Sequence, residues 1–167
     1  MSDLKPKRAA DSQTEMVQVV LPNDANPLGF ILGGTVMHLI DIAGAIACHR
    51  HTRTLLVTAA VDDLQFLCPI KVGDMIILRS RVTCVFTTSL EVQVEVFSEE
   101  TLTGARKVTS RAFLTFVAVN RDGGRVQVPP LLVETDEERR VCEEAKARRQ
   151  ERLRKKAVSL RSQVSIT

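Results

Sequence analysis

Residues 26–50, NPLGFILGGTVMHLIDIAGAIACHR, constrain this chain more than any other stretch. A turn-forming loop ends in Gly33-Gly34, and a long apolar run then reads as a helix to Arg50. Between positions 36 and 48 only His38 and Asp41 are polar. A helix that is apolar on nearly every face is a buried one. Gly44, with Ala43, Ala45, Ala47 and Cys48 around it, thins the second half, so other elements can wrap closely. A carboxylate in such a helix is costly unless it is paired, hydrogen-bonded or at work. Asp41 is therefore the most informative residue in the chain.

Beyond the helix the chain reads as strand after strand. Residues 16–21 read as a short strand ahead of it, and residues 55–70 as a long one behind it, apolar on both faces and so covered on both. Residues 75–86 place Ile76, Leu78, Val82, Cys84 and Phe86 on one face. Residues 90–97 alternate more cleanly, with Leu90, Val92, Val94 and Val96 inward and Glu91, Gln93 and Glu95 outward. Thr87-Thr88-Ser89 between these two is too short for a crossover, so they form a hairpin. Residues 105–119 make another strand, with Val108, Ala112, Leu114 and Phe116 on one side. The fold class is α+β: a curved antiparallel sheet wrapped around a long central helix, with an additional C-terminal helix. Residues 1–14 read as disordered, 15–133 as the domain, 134–157 as a charged helix and 158–167 as a flexible tail. The charged helix opens on acids and closes on bases, which suits its dipole. Its apolar stripe is Val141, Ala145 and Leu153.

Several function classes drop out. No G-x-G-x-x-G or G-K-[ST] occurs and strands do not alternate with helices, which argues against nucleotide-binding α/β folds. The net charge is +3, and residues 134–161, with ten bases and seven acids, carry all of it. That is not the footprint of a nucleic-acid-binding domain. No apolar run reaches the roughly 18 residues of a membrane span, and the polar N-terminus has no signal-peptide core; a soluble cytoplasmic protein is expected. The four cysteines, 48, 68, 84 and 142, form no C-x-x-C; Cys48, Cys68 and Cys84 read as small buried hydrophobes. His49 and His51 lack the spacing of a helical zinc pair, and no metal site is expected.

The segment NPLGFILGGTVMHLID resembles the active-site segment of hotdog-fold acyl-CoA thioesterases, in the group of bacterial short- and medium-chain acyl-CoA hydrolases and the brain-type cytosolic enzyme. Asn26, Gly29, Gly33, Gly34, Met37 and Asp41 carry the pattern. VTAAVDDLQFLCPIKVGD, TTSLEVQVEV and VPPLLVETDEERR continue it, so the likeness spans residues 16–152. Two departures exist: Leu32 stands where the family often has Phe or His before the glycine pair, and Phe86 where its hairpin usually has Gly.

The resemblance implies a hotdog fold, an acyl-CoA substrate and hydrolysis to the free fatty acid and CoA, with no cofactor. It implies a homodimer as the catalytic unit, with Asn26 and Asp41 of one site on different subunits, and a hexamer built as a trimer of dimers. Asp41 is then the general base on water, with nucleophilic attack on the thioester carbonyl as the alternative role. Backbone N–H groups at Gly33 and Gly34, at a helix N-terminus, suit a developing oxyanion. Asn26 orients the water or the thioester, Thr88 and Ser89 lie near the pantetheine, and Arg148, Arg149 and Arg152 of the charged helix are the candidates to meet the CoA phosphates. His38 reads as a packing residue. The rival readings are a hotdog hydratase, for which His38 is the sole candidate partner of Asp41, and a non-catalytic acyl-CoA-sensing protein.

Overall fold

The computed structural model describes the backbone of residues 4–164 and the side chains of residues 4–158. The elements run β1 (Lys7–Arg8), β2 (Thr14–Val19), α1 (Gly33–Thr52), β3 (Leu55–Phe66), β4 (Met75–Val85), β5 (Ser89–Glu99), β6 (Arg106–Val119), β7 (Leu131–Leu132) and α2 (Asp136–Val164). Short 3-10 turns stand at Ala9–Asp11 and Pro22–Asp24. Five strands make one antiparallel sheet in the order β2-β4-β5-β6-β3, and α1 packs against every one of them. This is the hotdog arrangement. No described helix is long and apolar enough to cross a membrane.

The inward alternation of β5 holds fully: Leu90, Val92, Val94 and Val96 are buried, facing Ile76, Leu78 and Val82 of β4 and Ala112, Leu114 and Phe116 of β6. Val36, Leu39, Ile40, Ala43 and Ala47 of α1 fill the groove between them. Each buried Val, Leu, Ile or Phe among these contributes about 1.5–3 kcal/mol on leaving water. Gly44 marks the closest approach: a Cβ there would lie 3.1 Å from Val92 and 3.2 Å from Phe116. Val108 does not join this face. The β5–β6 register shifts between Val96 and Phe97, which turns Val108 out and buries Thr109 in its place.

Other expectations are corrected by packing that residue patterns do not display. The N-terminal stretch is not disordered throughout: β1 pairs in parallel with β7, and Ala9 is buried. α2 runs on to Val164 rather than ending at 157, so most of the expected flexible tail is helical; residues 165–167, and 1–3, lie outside the described residues. β3 stops at Phe66, short of Ile70. It forms an edge of the sheet, and Leu55, Val57, Val61 and Phe66 stay about half exposed instead of covered. α1 is likewise covered on one side alone: Gly34, Met37, His38, Asp41, Ile42, Ala45 and Ile46, at helical spacing, form a stripe the protomer leaves open or half open. Cys48 is fully buried, as expected, and burial drives its thiol pKa far up. Cys68 is exposed, and Cys84 is joined to Cys142 of α2 in a disulfide.

Candidate active site

The loop before α1 is held by its own backbone. Asn26 N–H donates to Phe30 O at 2.8 Å, and Gly29 takes a positive φ of 79° to close that turn. Asn26 Oδ1 accepts N–H bonds from Leu28 at 3.0 Å and Phe30 at 3.2 Å. Two donors on one atom identify it as the oxygen, which leaves the side-chain NH₂ without an acceptor in the described protomer. The loop is stapled below by Ile31 N–H to Ile70 O and Val72 N–H to Gly29 O. Asn26 is thus a rigid donor at the front of α1.

α1 begins at Gly33 with Leu32 as its N-cap, and no side chain caps it. The first N–H groups of a helix have no partner within it. A Cβ at Gly34 would meet nothing within 4 Å, so open space lies beside these donors. Next to Gly33 is a cleft of about 260 Å³ whose apolar walls include Ile31, Val36, Phe66, Leu67 and Ile70.

Asp41 is half-buried on the open stripe of α1, not enclosed as its apolar neighbours suggest. The Thr58 hydroxyl of β3 donates to its Oδ1 at 2.7 Å. Thr58 pairs with buried Phe116 as Leu56 pairs with buried Ala118, so regular alternation turns it toward α1. The β3–β6 register shifts just after it, between Thr58 and Ala60. Nothing in the alternation of β3 singled out Thr58; a polar residue opposite an unexplained helix carboxylate was the available signal. His38 is exposed and makes no hydrogen bond to Asp41.

Within one protomer Asn26, the start of α1 and Asp41 are not joined to one another by hydrogen bonds. Asp41 lies seven residues beyond Gly34, roughly 10 Å along the axis at 1.5 Å per residue. Asn26 bonds to its own loop and Asp41 to Thr58, with no hydrogen bond between them.

Of the remaining candidates, Thr88, Ser89 and Arg149 gather at the β4–β5 hairpin. Phe86 N–H donates to Ser89 O, Ala118 N–H to Thr88 O and Val128 N–H to Thr87 O, so the hairpin tip is tied to the end of β6 and the segment behind it. Thr88 and Ser89 are half-buried. Arg149 of α2 stacks over the Phe86 ring at 4.8 Å and joins this group. Arg148 does not: both its forks are spent on Glu91 of β5, Nε to Oε2 at 3.0 Å and Nη2 to Oε1 at 2.8 Å. Arg152 is paired with Asp62 of β3.

The family model of the thioesterase superfamily matches residues 28–105. An acyl-CoA thioester hydrolase of Bacillus subtilis is 39% identical over 146 residues, covering 87% of this chain and 85% of that one. The cytosolic acyl coenzyme A thioester hydrolase of Rattus norvegicus is 34% identical over 86% of this chain, which spans 38% of that protein's length. Among solved structures, an apo-hexameric acyl-CoA thioesterase matches with a TM-score of 0.86 at 38% identity, over 92% of this chain and 98% of that one. An acyl-CoA hydrolase of Staphylococcus aureus, in complex with butyryl coenzyme A, coenzyme A and coenzyme A disulfide, matches with 0.84 at 30% identity, over 93% and 95%. Variants of that hydrolase with alanine in place of an aspartate, a threonine and an asparagine are also known in three dimensions.

Proposed function

This chain belongs to the thioesterase superfamily, and we propose that it is an acyl-CoA thioesterase that cleaves a fatty acyl-CoA to the free acid and CoA. The observation that carries the reading is Asp41 on an open helix face with Thr58 fixed at 2.7 Å from its carboxylate. The aspartate, threonine and asparagine replaced in the Staphylococcus aureus hydrolase stand at the same separations along their chain as Asp41, Thr58 and Asn26 do here.

In this mechanism Asp41 takes a proton from water as the water oxygen attacks the thioester carbonyl carbon. The oxyanion that forms is held by the free N–H groups at the start of α1, around Gly33 and Gly34. The carbonyl then re-forms, the C–S bond breaks and CoA leaves as thiolate, which takes up a proton. Thr58 keeps the Asp41 carboxylate aimed, and the Asn26 NH₂ steadies the water or the thioester. The apolar cleft beside Gly33 receives the acyl chain. Thr88, Ser89 and Arg149 receive the CoA end.

The roughly 10 Å between Gly34 and Asp41 along α1 supports a site shared by two copies. One copy supplies Asn26 and the α1 N-terminus, and the other supplies Asp41 and Thr58. The open stripe of α1 and the free edge of β3 are the surfaces such a dimer would cover, and three such dimers would make a hexamer. The hydratase reading has less support, because His38 makes no bond to Asp41.

The test is thiol release from a panel of acyl-CoAs, followed with a chromogenic thiol reagent. Turnover of acyl-CoA is expected, with Asp41→Asn folded and slower by roughly 10²–10⁴ in kcat. A folded Asp41→Asn protein with near-normal turnover would remove Asp41 as the base.

A further inference from the structure

α2 crosses the outer face of the sheet and is fastened to its strands one after another. Cys142 is bonded to Cys84 on β4. Arg148 reaches Glu91 on β5 and stacks over Phe113 on β6, and Arg152 reaches Asp62 on β3. Val141, Ala145, Arg148 and Arg152 fall on one helix face at spacings of three and four. That face, not the expected line to Leu153, is the docking face; Leu153 is 47% exposed.

The fastening at Arg148 is unusual chemically. Glu91 is 1% exposed. Its carboxylate accepts from the Thr83 hydroxyl at 2.8 Å and from both forks of Arg148, whose guanidinium lies 3.7 Å from the Phe113 ring centroid. A buried ion pair adds little stability over an apolar pair of the same size. It supplies direction instead, because planar bidentate geometry and stacking are met in one orientation. Among the described residues of α2, Val141 and Ala145 are the buried apolar ones. The Cys84–Cys142 bond and the Arg152–Asp62 pair tether α2 on either side, and the planar Arg148 fork sets the orientation of the turn between them. The next residue, Arg149, is the one that orientation sets over Phe86 at the hairpin.

We propose that Arg148 is a positioning residue: clamped by Glu91, it holds α2 in the one rotation that presents Arg149, beside Thr88 and Ser89, to the phosphates of CoA. This rests on the thioesterase reading above. Arg148 then touches no substrate, and its effect passes through Arg149.

The experiment compares an acyl-CoA with the matching acyl-pantetheine, which has the same thioester and no nucleotide. The full-length wild type, Arg149→Ala, Glu91→Gln and the double variant are measured on both. Arg149→Ala removes one charge-assisted hydrogen bond to phosphate and is expected to raise KM for acyl-CoA about tenfold, with kcat unchanged and acyl-pantetheine unaffected. Glu91→Gln should do the same, and the double variant should be no worse than either single one, since both act through the same guanidinium. The paired variant Glu91→Leu with Arg148→Met keeps the site filled if Glu91→Gln folds poorly, and should also raise KM for acyl-CoA alone.

Equal losses on both substrates, or a kcat effect with KM unchanged, would reduce the clamp to a structural element and overturn the proposal. So would additive effects in the double variant. Calorimetric binding of CoA itself reads the clamp without turnover. Wild-type protein that binds CoA in a Glu91-dependent way yet hydrolyses no thioester would overturn the hydrolase reading and leave the clamp standing.

Discussion

The Thr58 hydroxyl has one acceptor in the protomer, Asp41 Oδ1 at 2.7 Å. Thr58→Val keeps the shape and removes the donor. An aimed hydrogen bond to a charged group contributes about 1.5–3 kcal/mol, so kcat is expected to fall roughly 10–100-fold. Thr58→Ser should keep most of the rate. Steady-state kinetics on one acyl-CoA decides it; a Val variant at full rate would mean that Asp41 needs no aiming. His51 makes a separate prediction. It is fully buried, with Nε2 2.9 Å from Pro129 O and Nδ1 without a partner. Burial, with help from the Lys7 charge, holds its pKa below the ordinary 6.5, against the opposing pull of the Pro129 carbonyl and Asp11. The unfolded chain therefore protonates first as pH falls. Stability from this group is intact above pH 6.5 and declines below it until the lowered folded pKa is passed. Urea midpoints measured from pH 7 down to about 5 should drop, and His51→Phe should flatten the slope; an equal slope in that variant would clear His51 of the effect. Asp41 was legible in the sequence because a carboxylate in an apolar helix demands a reason. Thr58 was not, because threonine in a strand is ordinary. Glu91 read correctly as outward, but its cover comes from Arg148, 57 residues away.

At the scale of elements, α1 was legible from its long, nearly unbroken apolar run after Gly33-Gly34, and β5 from its clean period of two against a single packed face. β3 and β6 were legible as strands and not in detail. Their register shifts at Thr58/Ala60, Asp62/Gln65 and Val96/Phe97 reverse which residues face inward, and alternation assumes no such shifts. Thr58 itself precedes the first shift and faces α1 by ordinary alternation with Leu56. The thin half of α1 was read correctly at Gly44, where β5 and β6 approach to within 3.1 and 3.2 Å of an added methyl. Both neighbours, Val92 and Phe116, are themselves buried and cannot swing away. Gly44→Ala is expected to cost about 1–3 kcal/mol through overpacking, although alanine is the better helix former. The urea midpoint measures it. A Gly44→Ala protein at least as stable as wild type would show that propensity, not packing, governs that turn of the helix.

On the scale of the whole molecule, the protomer is unfinished in a specific way. β3 is a free sheet edge beside exposed Val57 and Val61, and next to it runs the open stripe of α1 with Met37, Ile42, Ala45 and Ile46. Exposed apolar edges are liabilities that a second copy can remove. The same side carries Asp41 and Thr58, while the free N–H groups at the start of α1 in that chain lie roughly 10 Å away along the axis. In the shared site proposed above, covering the edge and completing the site are one event, and the dimer is the smallest active unit. Mixing two inactive proteins tests this most directly. Asn26→Ala and Asp41→Asn should each be nearly inactive alone. In an isologous heterodimer of the two, one seam carries both lesions and the other carries an intact Asn26 facing an intact Asp41. After co-refolding at equal amounts, half the dimers are mixed and each has one working seam, so the account predicts about a quarter of wild-type activity. No recovery in a sample whose mass spectrum shows heterodimers would contradict it and place the whole site within one chain.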